Sequence, residues 1–355
     1  MSQQVIFTEN PGGVVDTLIS DMNPAGVCII ADSNTAHCVL PRLREESAKL
    51  KDAPVIEFPA GDGNKILSTL ASVWEAMESN KLTRRSLIVN AGGGVVTDLG
   101  GFAAATFKRG LRFVNLPTTL LSAVDAAVGG KTGINFNGLK NEIGVFKEAD
   151  AVVVSTRYFS TLPSVELLSG YGEVIKHALI DSSENLLRVL DYDISGNDLS
   201  ALQNILCDSV EVKRRIVKVD PYEKGLRKSL NLGHTVAHAI EAQAMRNGVA
   251  VPAHGVAVVW GLIVDMVLSH MLLGLDSKWL HAVARYVRIH YPAMSVTCSD
   301  YTSLIELMRH DKKNTDTSSI NFTLLEAPGK VVPDCIVSPD DIRTALDITR
   351  DLLGV

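Results

Sequence analysis

The sequence predicts an α/β domain built on a parallel sheet in the first half of the chain, with a second domain behind it. Three observations carry this. Short apolar runs bounded by turn residues recur at 27–31, 55–58, 87–90 and 113–116, with helical patterns such as 66–77 between them, the alternation of βαβ units. Several of these runs end in polar, glycine-rich turns, at the strand ends where such sheets bind ligands. The 355 residues exceed what one core normally holds, so two domains are expected.

The first run leads into Asp32-Ser33-Asn34, and the second into PAGDGNK at 59–65, which sets Asp62 and Lys65 in a glycine turn. An acid at such an edge can accept the hydroxyls of a ribose. The third leads into AGGGVVTDLGGFAAATFKRG at 91–110. Gly92, Gly93 and Gly94 allow the backbone to approach a pyrophosphate facing a helix N-terminus, and Gly100 and Gly101 allow that helix to pack closely on the sheet. The spacing is not GxGxxG, so a tight turn without a ligand is the competing reading. The fourth run enters LPTTLLSAVDAAVGGKTGINFNGLKN at 116–141, where Thr118 and Thr119 stand at a predicted helix start and Asp125, Lys131, Lys140 and Asn141 punctuate glycine-rich turns. Two such loops in succession, each ending in charged residues, point to a binding function.

Composition narrows the classes. With 46% hydrophobic and 21% charged residues and no repeat or low-complexity tract, the chain reads as an ordinary globular protein. Its net charge of -6 disfavours nucleic acid and anionic membranes as partners and favours a small molecule held by local basic residues. Five scattered cysteines, Cys28, Cys38, Cys207, Cys298 and Cys335, contain no CxxC pair, which argues for a reduced, cytoplasmic protein without a thiolate zinc site. The start MSQQVIFTENPGG lacks the basic and apolar segments of a secretory signal. The most apolar segment, 256–275, is interrupted by Asp265, Ser269 and His270 and is expected to be a buried helix.

In the second half, residues 231–255 hold His234, His238 and His254. His234 and His238 are four apart, a spacing that directs two imidazoles into a common site or simply packs them. Arg227 and Asn231 precede them at helical spacing, so the four are expected to form one inward helical stripe. Lys213, with Arg214, Arg215 and Lys218, is either part of a site or of a solvated basic face. His37, His270, His281, His290 and His310 read as packing or surface, and His177 is expected to face away from Glu173.

These motifs together resemble the 3-dehydroquinate synthase family of sugar-phosphate cyclases. The resemblance runs nearly end to end through PAGDGNK, GGGVVTDLGGFAAATFKRG, PTTLLSAVDAAVGGKTGINFNGLKN, GYGEVIKHALI, LRKSLNLGHTVAHAIE, HGVAV and DKK at 311–313. It implies a Rossmann-like, NAD-binding α/β domain over 1–160 and a mostly α-helical metal- and substrate-binding domain over 161–355, with the active site in the cleft between them. By position it implies Glu173, His234 and His254 as ligands of zinc or cobalt. Asp32, Asp62, Lys65, Gly93, Gly94, Val95, Asp98, Thr118, Thr119, Asp125, Lys131 and Lys140 would then face NAD. Asp125, Lys131, Asn141, Lys176, Lys213, Arg227, Asn231, His238 and Lys312 would surround the substrate, and Arg109 would reach a neighbouring subunit's substrate in a homodimer.

Two imidazoles and a carboxylate leave a metal with open positions, the pattern of catalytic zinc. Lys176, three residues after Glu173, can enter the same site. The implied reaction converts 3-deoxy-D-arabino-heptulosonate 7-phosphate into 3-dehydroquinate and phosphate, in the shikimate pathway, by transient NAD oxidation, elimination, reduction and aldol closure. A sedoheptulose 7-phosphate cyclase and a metal-dependent polyol dehydrogenase are the competing activities, and Lys213, Arg227 and His238 separate them, since a carboxylate-bearing substrate needs more cationic partners. The chain departs from the family pattern at Val256, which follows Gly255 where relatives carry an acid, and this leaves the support of the His254 ring open.

Overall fold

The computed structural model describes residues 3–137, 139–196, 198–309 and 320–355. The chain divides into two compact units, one of Met1–Pro163 with Asp198–Val210, the other of Ser164–Asn197 with Glu211–Val355.

The first unit contains strands β1 (Gln4–Phe7), β2 (Val27–Asp32), β3 (Val55–Phe58), β4 (Leu87–Gly92), β5 (Arg112–Pro117), β6 (Lys131–Phe136), β7 (Leu139–Phe146) and β8 (Ala151–Val154). Its helices are α1 (Pro11–Met22), α2 (Ser33–Cys38), α3 (Leu40–Glu46), α4 (Leu67–Ser79) and α5 (Gly94–Thr106). Six strands form a parallel sheet in the order β1-β8-β5-β4-β2-β3. Strands buried on both faces explain why the sequence shows continuous apolar runs and no alternation. Residues such as Ile29, Ala31, Val89, Ala91 and Leu116 pack against Val15, Ile19 and Leu43 from α1 and α3. The chain leaves β2 toward β3 and then returns to the other side of β2 for β4, so a topological switch point lies between β2 and β4. The carboxyl ends of these strands bear Asp32 and Gly92.

The 116–141 segment differs from a run of loops. After one short π-helical turn, Ser122–Ala126, it becomes the antiparallel β6–β7 hairpin, with Phe136 paired to Leu139 at its tip. Lys131 and Lys140 therefore sit on strands.

The second unit is mostly helical: α6 (Ser164–Asp181), α7 (Ser183–Asp191), α8 (Leu199–Val219, whose first half belongs to the other unit), α9 (His234–Arg246), α10 (His254–Leu273), α11 (Ser277–His290), α12 (Tyr301–Arg309) and α13 (Pro339–Leu353). One antiparallel pair, β9 (Ile320–Ala327) and β10 (Lys330–Val337), completes it. Helix α10 is long and apolar enough to cross a membrane by length and composition, yet 78% of its most apolar window is buried inside the protein. A helix apolar all round is what a core position requires. Helix α6 starts nine residues before Glu173, so Glu173 is mid-helix.

Candidate functional site

At the carboxyl edge of the sheet, register aligns the ends of three neighbouring strands. Ile30 pairs with Asn90 and Gly92 with Pro117, so Asp32, Gly92 and Thr118 arrive at one level. Asp32 caps α2, its Oδ1 accepting from the Thr35 N–H at 2.7 Å, and Thr35 Oγ1 lies 3.4 Å from Thr118 Oγ1. Helix α5 begins at Gly94 behind the N-cap Gly93, which supplies no side-chain cap to the first-turn N–H groups. Such a terminus favours an anionic group. A Cβ on Gly93 would stand 3.1 Å from the Thr119 side chain, so the glycine keeps this approach open. The residues present thus fit a dinucleotide: an acid at the β2 end, a bare helix start at the β4 end, and hydroxyls at the β5 end. Val95 lies in the first turn of the same helix.

A polar network joins several other expected residues. The buried Lys65 ammonium reaches Asp98 Oδ2 on α5 and Asn141 Oδ1, the latter at 2.5 Å, so one cation ties an expected cofactor residue to an expected substrate residue. Asn135 donates its backbone N–H to Lys65 O at 2.7 Å and accepts from the Asn141 N–H at 2.9 Å. Asp62 Oδ2 is 3.3 Å from Asn135 Nδ2 and 4.0 Å from Lys140 Nζ. The 59–65 turn and the hairpin are therefore stitched together. Asp125 lies in the π-helical turn, half-buried. Arg109 is exposed and left-handed at φ 69, next to Lys108 at φ 48, on a projection between α5 and β5.

In the helical unit, three helices bring Glu173, His234 and His254 together. The Glu173 carboxylate is fully buried, and His234 Nε2 and His254 Nε2 lie 3.5 and 3.7 Å from its Oε1. Neither carboxylate oxygen makes a hydrogen bond of good geometry, although the Lys176 ammonium, also buried, pairs with Oε2. Both rings turn their other nitrogen toward an acceptor: His234 Nδ1 lies 3.1 Å from Leu232 O, and His254 Nδ1 lies 3.1 Å from Glu241 Oε1. Protons placed on Nδ1 leave the Nε2 lone pairs facing Glu173. Two aimed lone pairs and a buried carboxylate oxygen fit a divalent cation, as the only described group of three such donors lying wholly within this unit.

Glycines set this convergence. A Cβ on Gly255 would stand 1.7 Å from Ser169 O, so α6 and α10 touch backbone to backbone immediately beside Glu173 and His254. At Gly233 the backbone is left-handed, φ 80, and its N–H donates to Asp265 Oδ2 of α10 at 2.6 Å. That turn ends the idea of one stripe through Arg227, Asn231, His234 and His238. Arg227 and Asn231 belong to a separate 3₁₀ turn, Leu226–Asn231, and α9 starts afresh at His234. Helical spacing cannot register a single left-handed residue.

Arg227 is buried and donates Nη1–H to Pro221 O at 2.7 Å, while Asn231 Nδ2 donates to Glu223 Oε1 at 2.9 Å. Asp220 organises this loop by accepting N–H groups from Lys224, Gly225 and Arg227, and the Lys224 bond foremost holds its carboxyl below the usual range. Lys213 is buried whereas Arg215 and Lys218 are exposed, which separates it from the surface charges. The His238 ring stands 5.4 Å from that of His234 and 6.2 Å from that of His254, beside the ligand pair. His177 is fully buried, and a ring nitrogen lies within 4.8 Å of a Glu173 oxygen, so it does not face away. Behind α6, Tyr291 donates to Leu168 O at 2.9 Å; burial first, then Tyr286 and the Glu173 charge, raise its phenol well above the ordinary value and keep it neutral. His37, His270 and His281 are exposed; Lys312 and His310 lie outside the described residues. Sequence reasoning missed Glu241, although His234, His238 and Glu241 at i, i+4 and i+7 share one face of α9.

A glycine turn at the switch point of a parallel sheet, and a buried carboxylate with two aimed imidazoles on helices, define a class of enzyme that uses a dinucleotide and a divalent metal. Two family models, described as 3-dehydroquinate synthase N-terminal and C-terminal, match residues 55–169 and 170–314. A 3-dehydroquinate synthase of Parabacteroides distasonis is 43% identical over 99% of this chain and 99% of its own. The chain belongs to the 3-dehydroquinate synthase family. Two solved structures share the fold: a 2-deoxy-scyllo-inosose synthase complexed with carbaglucose-6-phosphate, NAD+ and Co2+ (TM-score 0.83, 24% identity, 96% of this chain and 95% of that one), and a 2-epi-5-epi-valiolone synthase from Streptomyces hygroscopicus subsp. jinggangensis with NAD+ and Zn2+ bound (TM-score 0.84, 23% identity, 99% and 97%).

Proposed function

We propose that this chain converts 3-deoxy-D-arabino-heptulosonate 7-phosphate into 3-dehydroquinate and phosphate, the net change being loss of phosphate with no net oxidation. The observation that carries the reading is the buried Glu173 carboxylate with His234, His254 and Lys176 against it, in a chain that matches its family from end to end. The 1–160 domain holds NAD through Asp32, Asp62, Lys65, Gly93, Gly94, Val95, Asp98, Thr118, Thr119, Asp125, Lys131 and Lys140, and the 161–355 domain binds metal and substrate. NAD supplies an oxidant for a secondary alcohol that is restored within the turnover. A divalent cation, zinc or cobalt, supplies Lewis acidity to that alcohol.

The chain's own residues do the rest. Lys176 offsets the buried Glu173 charge and offers an ammonium to a developing oxyanion. Lys213 pairs with the substrate carboxylate, and Arg227, Asn231, Lys131 and Asn141 hold the phosphate until its oxygens take the proton that elimination releases. His238, exposed beside the ligand rings, moves protons in ring opening and closure. Lys312 is assigned to the substrate on the resemblance alone. The protein acts in the cytoplasm, in keeping with five free cysteines. It acts as a homodimer in which Arg109 reaches the other subunit's phosphate; Leu139, Ile143, Val145 and Phe146 leave the hairpin with exposed apolar side chains suited to a second copy.

The test supplies purified protein with NAD and Zn2+ and measures phosphate release from the two candidate sugar phosphates. Release from 3-deoxy-D-arabino-heptulosonate 7-phosphate with formation of 3-dehydroquinate is expected; release only from sedoheptulose 7-phosphate would overturn the reading.

A further inference from the structure

We infer that Glu241 is a positioning residue that sets the metal affinity of His254, supplying a carboxylate to its ring from the neighbouring helix. The inference rests on the assignment of Glu173, His234 and His254 as metal ligands. Glu241 is buried on α9, and its Oε1 lies 3.1 Å from His254 Nδ1 at the first residue of α10.

The two histidines are therefore supported unequally. His234 Nδ1 faces a neutral carbonyl, Leu232 O, whereas His254 Nδ1 faces a carboxylate. An anion accepting the Nδ1 proton locks the tautomer that presents Nε2 and raises the basicity of the imidazole, so the ring binds a cation more tightly than one backed by an amide oxygen. His254 is also the more exposed of the two, with 26% of its side chain accessible against 12% for His234. The ring with the weaker packing is thus the one with the stronger electrostatic tether.

The experiment titrates metal-stripped wild type, Glu241→Gln and Glu241→Ala with Zn2+ against a chromophoric chelator, and records the visible spectrum of each Co2+-loaded form. Gln keeps an acceptor but removes the charge, and Ala removes both. The expected result is a Zn2+ Kd raised about 10-fold by Gln and about 100-fold by Ala, within the range found when partners of metal-bound histidines are lost. Shifted Co2+ bands are also expected, as is phosphate release that recovers in Glu241→Gln at saturating Zn2+. Packing damage alone would lower the melting temperature of the metal-free protein without moving the Co2+ bands. Should either variant fail to fold, Glu241→Asp, which keeps the charge but withdraws it by one methylene, gives an intermediate Kd. A Kd within about twofold of wild type in the folded variants overturns the role of Glu241 alone. Equal, weak Zn2+ binding by wild type and His254→Ala overturns the metal assignment itself.

Discussion

Replacing Gly255 with alanine sets two physical effects against each other. In a helix, alanine is favoured over glycine by about 1 kcal/mol. Against this, the new Cβ would stand 1.7 Å from Ser169 O and 2.5 Å from the carbonyl carbon, both rigid backbone atoms. Relief to the 3.0 Å that real contacts require means separating α6 and α10 by about 1.3 Å, with loss of the 3.0 Å bond from Gly255 N–H to Ser169 Oγ. Overpacking of this kind costs about 1–3 kcal/mol, so the clash outweighs the propensity gain. The displacement falls one residue from His254 and one helical turn from Glu173, and ligand distances tolerate only about 0.2 Å. Gly255→Ala should therefore weaken Zn2+ binding by about 100-fold or more while lowering the melting temperature only modestly, read by chelator competition and calorimetry on the metal-free protein. A folded variant that binds Zn2+ within about threefold of wild type would refute the claim that this glycine contact sets the ligand geometry.

Three further outcomes are expected. Lys65→Met leaves the Asp98 carboxylate without its ammonium and frees Asn141; the denaturant midpoint should fall by the equivalent of about 3 kcal/mol, and NAD should bind more weakly by calorimetric titration. Phe146→Asp replaces the most exposed apolar side chain of the hairpin with a charge, and ultracentrifugation should show a shift from dimer to monomer with loss of phosphate release. Asp334 accepts from Lys228 Nζ and from Asn321, and the Lys228 bond foremost holds its carboxyl below 3.8. A depressed folded-state pKa stabilises above the unfolded value and stops doing so as pH falls through the folded one. The melting-temperature gap between wild type and Asp334→Asn should therefore be full at neutral pH and close as the solution is acidified below 3.8.

The parallel strands were legible because burial on both faces leaves compact apolar runs, each punctuated by a turn. Strands β1 and β8 are harder to read: β1 is only partly buried, and β8, though an apolar run of four, follows the hairpin with no helix between, outside the βαβ alternation. The β6–β7 hairpin reads as loops in the sequence because its glycines, Gly133 and Gly144, pass each other across the ladder where a strand normally shows side chains. Around the metal group, spacing singled out His234 and His238, while the resemblance implied Glu173, His234 and His254, the three donors that the fold brings together. The break at Gly233 and the reach of Glu241 to His254 were invisible because both depend on α10, contributed by residues that follow them in the chain. The structure also separates Lys213 from its basic neighbours, which composition leaves equivalent.

Glu241 of α9 grips the first residue of α10, while Asp265 of α10 grips the residue preceding α9. Helix beginnings ordinarily fray first, and their amide protons exchange with solvent through small local openings. Here neither start can loosen unless the other helix lets go, so the two form one cooperative unit. The amides around 233–238 and 254–258 should then exchange together and slowly, at the rate of the unit's core, and a bound metal should slow both stretches by the same factor.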